Sequence, residues 1–214
     1  MDGEKIPDEV KLLVVVHPKN ISDKAQYVID QFIMRGGKLI AFLDAMSLVD
    51  KPSNPSNPMM ANMPGGPSSL DKLLKAWGIQ FETSKVAADM NFARELSMQR
   101  GGAPQLMPAF LFINSEGINA DDVVTSQIDN LLLPFAGTFS GTPMAGLTET
   151  VLLKTTPQSQ LVEGMTASFS GETIAKEFKP SGTAYPLAIR LKGKFKTAFP
   201  EGAPAEPPEK KDDK

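Results

Sequence analysis

The chain has 214 residues, 41% of them hydrophobic, enough for one large domain or two small ones with an ordinary buried core, so disorder throughout is excluded. Its formal net charge of −3 is spread along the sequence, and without a basic block to follow a phosphate backbone no nucleic-acid partner is expected. Cysteine is absent, which removes disulfides, thiolate metal ligands and a cysteine nucleophile while leaving the compartment open.

The first residues, MDGEKIPDEV, are acidic and polar and lack the basic and apolar regions of a signal peptide, so any signal or anchor is expected outside this sequence. Lys11 to Val16 reads KLLVVV, a continuous apolar and β-branched run that fits a central strand covered on both faces. After HPKN, Ser22 can cap a helix whose apolar positions Ala25, Val28, Ile29, Phe32 and Ile33 recur at helical spacing. Gly36 and Gly37 end that helix and turn the chain into a second strand, Lys38 to Leu43. A helix between two strands implies that they lie parallel. These runs are far shorter than the roughly 20 apolar residues that cross a bilayer.

Residues 45 to 69 are rich in proline, asparagine, serine and methionine and are expected to form a long loop, of the kind that is often functional. Its Met59, Met60 and Met63 suit either an adaptable contact surface or packing back onto the core. Helical spacing resumes at Leu70, Leu73, Leu74 and Trp77, with Ser68 and Asp71 as a capping pair and Gly78 as the stop. Short strands are expected at Ile79 to Phe81, Val86 to Ala88 and Leu106 to Ile113. Asp121 to Leu132 fits a helix that finishes as a strand, since its apolar residues satisfy neither period. A strand at Thr148 to Thr156, a short helix at Gly171 to Phe178 and a late strand at Leu187 to Leu191 follow. Residues 1–199 thus form a single α/β domain with a parallel-sheet core and additional short strands in its C-terminal half. Residues 200–214, PEGAPAEPPEKKDDK, read as a proline-rich charged linker or tail.

The two first strands end at His17 and Asp44, which places both at the carboxyl edge of a parallel sheet, where ligands of open α/β folds bind. His17 is the only histidine, and a neighbouring carboxylate would orient its ring. His17, Asp44 and Ser47 are therefore the candidate ligand-binding residues. The plainer alternative is that His17 and Asp44 terminate strands and cap the loops that follow, because fold position alone does not specify chemistry. Gly36-Gly37 follows a helix, the wrong order for a phosphate loop, and Gly65-Gly66 and Gly101-Gly102 match no nucleotide-binding spacing. The chain has no G-x-S-x-G elbow, so hydrolysis would need His17 to serve an unidentified serine. Asp121-Asp122 and Asp212-Asp213 read as solvated caps or tails. With no second histidine and no EF-hand pattern, neither a metal nor another cofactor is expected.

Read in order, VVVHPKNISDKAQYVIDQFIMRGGKLIAFLDAMSLVD, LDKLLKAWGIQFETSKVAADM and AYPLAIRLKGKFKTAFP resemble the auxiliary domain of ABC-type transport systems, the family that includes the gliding-motility protein GldG. The resemblance runs from Lys11 to Pro200 and is sharpest in the HPKN-to-Asp44 and YPLAIRLKG blocks. It implies a non-enzymatic, extracytoplasmic (periplasmic) domain, tethered to the inner membrane by helices outside this sequence and working beside an ABC permease and ATPase. The implied fold is similar to flavodoxin-like or class I glutamine-amidotransferase-like domains. An amidotransferase of that fold needs a cysteine nucleophile, which this chain lacks. The family pattern often has proline after the aspartate that ends the second strand; Ala45 stands there, which bears on the shape of that turn. A separate possibility, motivated by position, is a saccharide or peptide site at the carboxyl edge.

Overall fold

A computed structural model describes residues 5–50, 64–97, 102–169 and 171–205. The chain opens as expected with strand β1 (Leu12–Val16), helix α1 (Asp23–Met34) and strand β2 (Lys38–Phe42), the strands parallel and in register from Leu12 opposite Lys38 to Val16 opposite Phe42. Ser22 caps α1 by accepting the Ala25 amide at 3.1 Å. At the other end the Gly36 amide bonds the Ile33 carbonyl at 2.9 Å and the Gly37 amide bonds that of Phe32 at 3.0 Å, the paired bonds of a Schellman ending. Gly36 supplies the left-handed turn at φ +91°, and a Cβ on Gly37 would lie 2.5 Å from the Phe32 ring.

Helix α2 (Asp71–Ala76) stops at Gly78 as expected, but its first turn is not capped by Ser68. Leu70 stands at the cap without a side-chain bond, and Gln26 of α1 supplies the missing acceptor, taking the Lys72 amide on Oε1 at 3.2 Å. The Ser68 hydroxyl turns instead to the amide of Asp44. One core cluster therefore joins Val28, Ile29, Phe32 and Ile33 of α1 to Leu73, Leu74 and Trp77, with Ile79 beyond. The chain returns to this cluster near its end, where buried Asp30 accepts the Thr197 hydroxyl (2.6 Å) and the Ala198 amide (2.8 Å) and Phe199 packs edge-on to Tyr27.

The rest consists of short antiparallel pairs. β3 (Ile79–Phe81) pairs with β9 (Phe139–Gly141), and β4 (Lys85–Asp89) with β11 (Ser159–Glu163). β5 (Arg94–Leu96) pairs with β6 (Gln105–Met107), and β7 (Phe110–Ile113) with β8 (Leu131–Pro134). The longest pair is β10 (Leu147–Lys154) with β12 (Pro186–Gly193), and α3 (Gly164–Phe169) and α4 (Gly171–Lys176) follow β11. Two further clusters, one around Val86, Phe110 and Phe135 and one around Phe92, Leu111 and Ile113, hold these pairs together.

The architecture is thus mixed α/β with small, mostly antiparallel sheets, and the expected parallel-sheet core is corrected to a single parallel pair. β1 is not a central strand. Among the described residues it pairs with β2 alone, and Leu12, Val14 and Val16 lie exposed on the side away from α1. A run such as LLVVV satisfies a strand buried on both faces, but nothing within it supplies the second covering layer. Two further expectations are corrected. Leu106 to Ile113 is split into β6 and β7, with the Pro108 carbonyl between them accepting the Asp89 amide. Asp121 to Leu132 forms turns and then β8, because Asp122 binds Arg190 with both carboxylate oxygens and pulls the chain toward β12 instead of into a helix. Met59, Met60, Met63, Gly101 and Asp212-Asp213 lie outside the described residues.

Candidate functional site

The carboxyl edge of the β1–β2 pair is built by main-chain bonds before any side chain acts. The His17 amide continues the parallel ladder by bonding the Phe42 carbonyl at 2.9 Å, and the Lys19 amide then turns back to the His17 carbonyl at 2.7 Å. His17 holds φ +48° and Asn20 φ +51°, left-handed conformations that cost a non-glycine residue on the order of 1 kcal/mol each. Opposite them, Ser68 grips Asp44 at both main-chain groups, its hydroxyl accepting the Asp44 amide (2.9 Å) and its amide donating to the Asp44 carbonyl (2.8 Å).

Four ionisable side chains meet on this frame. His17 Nδ1 lies 2.6 Å from Asp44 Oδ2, and Nε2 lies 3.4 Å from Asp50 Oδ2. Lys19 Nζ donates to the same Asp50 oxygen at 2.5 Å. The Lys19 ammonium, helped by His17, holds the Asp50 carboxyl below its ordinary value of 3.8 against the opposing effect of desolvation.

Ser47 is placed beside this cluster but faces inward. It is buried, and its hydroxyl accepts the amides of Val49 (3.3 Å) and Asp50 (3.1 Å), shaping the turn that carries Asp50 to the histidine. Its main chain bonds that of Gly65 in both directions, and a Cβ on Gly65 would run into the Asp50 carbonyl. Gly65 is therefore the residue that lets the two sides of the loop close.

Of the three candidate residues, His17 and Asp44 are in direct contact and Ser47 acts on the turn behind them. Asp50, Lys19, Ser68 and Gly65 complete the cluster and were not singled out for it from sequence. Lys19 within HPKN carried a signal, since it follows the histidine by two residues; Asp50 and Gly65 are joined to it only through the loop's closure. The side chains of Asp44, Asp50 and Lys19 are each about a third exposed, at 40%, 31% and 37%, so carboxylate acceptors and an ammonium donor stand where a hydroxyl- or amide-bearing ligand could reach them. Among the described residues no group of three or more acidic or histidine side chains is arranged to hold a metal ion. Nor is any helix among them long and apolar enough to cross a membrane. A shallow polar depression formed by Glu116 to Asp121 with Lys154 shares no residue with the His17 cluster.

No curated protein and no solved structure matches the chain. The family model described as ABC-type uncharacterized transport system matches residues 1–214, and the chain belongs to this family of transport-system auxiliary domains.

Proposed function

We propose that the chain is a non-enzymatic, extracytoplasmic module of an ABC-type transport complex, acting in binding or assembly beside the permease and the ATPase. The observation that carries this reading is the family match over the whole chain. The resemblance of the HPKN-to-Asp44 and YPLAIRLKG blocks to the auxiliary-domain family that includes the gliding-motility protein GldG supports the periplasmic side, with tethering to the inner membrane. A role without catalysis is supported by the lack of the cysteine nucleophile that an amidotransferase of the implied fold needs.

The test is cross-linking in cells of the full-length protein. Recovery of a permease or ATPase subunit is expected, and recovery of neither sinks the proposal. Protease added to intact spheroplasts should digest the domain; protection would place it on the cytoplasmic side.

A second reading has its own observation, the partly exposed grouping of His17, Asp44, Asp50 and Lys19 at a sheet's carboxyl edge. Such a group suits the hydroxyls of a saccharide or the amides of a peptide. A thermal-shift screen should find ligands whose stabilisation disappears in the His17→Ala, Asp44→Ala double variant. Unchanged shifts for every ligand would remove the reading.

A further inference from the structure

The side chains at the carboxyl edge follow one another as carboxylate, imidazole, carboxylate and ammonium. Asp44 lies 2.6 Å from His17, His17 3.4 Å from Asp50, and Lys19 2.5 Å from that same Asp50 oxygen. Among the described residues each carboxylate thus stands beside a nitrogen of His17 or Lys19, which leaves no excess charge to hold an ionic ligand. Asp44, Asp50 and Lys19 are nonetheless open to solvent, while His17 between them is more enclosed, at 19%.

A ligand here competes with pairs already made. It enters without loss when a single group of its own replaces both partners of a pair. A hydroxyl does this, because the same oxygen donates to a carboxylate and accepts from an ammonium. A peptide unit does not. Its N–H only donates, its carbonyl only accepts, and the planar trans amide points them in opposite directions, so an amide that satisfies Asp50 turns its carbonyl away from Lys19.

The borders of the cluster suit the rest of a sugar. Phe42, 57% exposed, stands two residues before Asp44 and accepts the His17 amide on its carbonyl, and Val49, 90% exposed, is next to Asp50. Apolar side chains beside a few placed polar groups take the C–H face of a saccharide while hydroxyls at its rim meet the charges. The frame is also set in advance. His17 and Asn20 hold left-handed conformations, and the Ser47–Gly65 bridge closes the loop that carries Asp50, so less ordering remains to be done on binding.

We propose, resting on the reading of this cluster as a ligand site, that the edge binds an uncharged saccharide, one hydroxyl entering between Lys19 and Asp50, a second donating to Asp44, and a C–H face lying on Phe42. Lys19 determines the specificity. A carboxylate alone accepts from an amide and from a hydroxyl alike, and only the ammonium beside it requires the same ligand atom to accept as well.

The experiment titrates the 214-residue chain with four uncharged oligosaccharides, cellohexaose, maltohexaose, xylohexaose and chitohexaose, and with acetylated, amidated hexapeptides of glycine and alanine. Binding is read on the ring resonances of His17, the chain's one histidine. Saturable shifts with at least one oligosaccharide and none with the peptides are expected. Lys19→Met and Phe42→Ala should each weaken that binding about tenfold or more with unchanged circular dichroism spectra, in line with the loss of a charge-assisted bond or of an aromatic contact. Lys5→Met, which removes an exposed ammonium paired with Asp8, should leave it as it was.

Peptides that shift the His17 resonances as readily as the oligosaccharides would overturn the saccharide assignment and leave the ligand site standing. Oligosaccharide binding that survives both Lys19→Met and Phe42→Ala would overturn it as well, by putting the sugar elsewhere on the chain. No shift with either set of probes would remove the saccharide and the ligand site together.

Discussion

Asp44 and Asp89 each stand at the carboxyl end of a strand, the first just past β2 and the second as the last residue of β4. Asp89 is fully buried, and fixed groups surround it. Its Oδ1 accepts the Asn91 amide (2.8 Å) and the Thr156 hydroxyl (3.1 Å), and its Oδ2 accepts the Thr156 amide (2.6 Å). Asp44 is partly open, and its carboxylate meets a histidine ring that is itself shared with Asp50 and, through it, Lys19. A carboxylate bonded to buried main-chain amides joins segments together, here β4 to the turn before β11, and has no capacity left for a ligand. A carboxylate bonded to mobile charged side chains at the surface can exchange partners. The same residue type in the same strand position thus serves packing in one region and is available for recognition in the other.

The contrast can be broken most sharply at Asp89. Asp89→Ala leaves the amide and hydroxyl of buried Thr156 without their acceptor, and urea unfolding should show a loss of about 3 kcal/mol. A loss no larger than that of Asp44→Ala would erase the distinction. Gly65→Ala comes next, because the added methyl has to push away the Asp50 carbonyl; about 2 kcal/mol is expected from such overpacking. The same variant should change the ring resonances of His17, which are unambiguous in a chain with one histidine.

Asp44→Ala should cost under about 1 kcal/mol, in keeping with a partly solvated pair, yet change the His17 ring resonances at Nδ1. The smallest effect concerns Asp50. Its carboxyl is depressed in the folded chain, so its contribution to stability is present above its ordinary value of 3.8 and is lost as pH falls through the lower folded value. Lys19→Met removes the chief cause of that depression. The variant should be slightly less stable than the parent at neutral pH, and the difference should close in denaturation series taken below pH 3.8. A gap that persists in acid would mean that Lys19 acts through packing.

Legibility followed the range of the interactions. Ser22, the apolar spacing of α1 and the Gly36-Gly37 ending specify a helix within a few residues, and the structure keeps each of them. Ser68 was misread because a serine before a helix has two options within reach. The nearby Asp44 main chain took it, and a glutamine from α1, 46 residues before Lys72, capped α2 in its place. The strands β5, β9 and β11 and the helix α3 carried too little period to be seen, being three to six residues long. At the site, His17 and Asp44 were legible because both end strands that pair. Asp50 was not, since it reaches His17 across 33 residues by means of the Ser47–Gly65 closure.

By itself the sequence determined the β1–α1–β2 unit, the parallel direction of its strands and the placing of His17 and Asp44 at their carboxyl edge, since helical spacing, a cap and a glycine ending are local properties. Only the tertiary structure decided that, among the described residues, no further strand joins this pair, its outer face stays open and the remaining strands pair antiparallel. An apolar run can show that a strand wants covering, but which layer covers it depends on contacts between residues far apart in the chain.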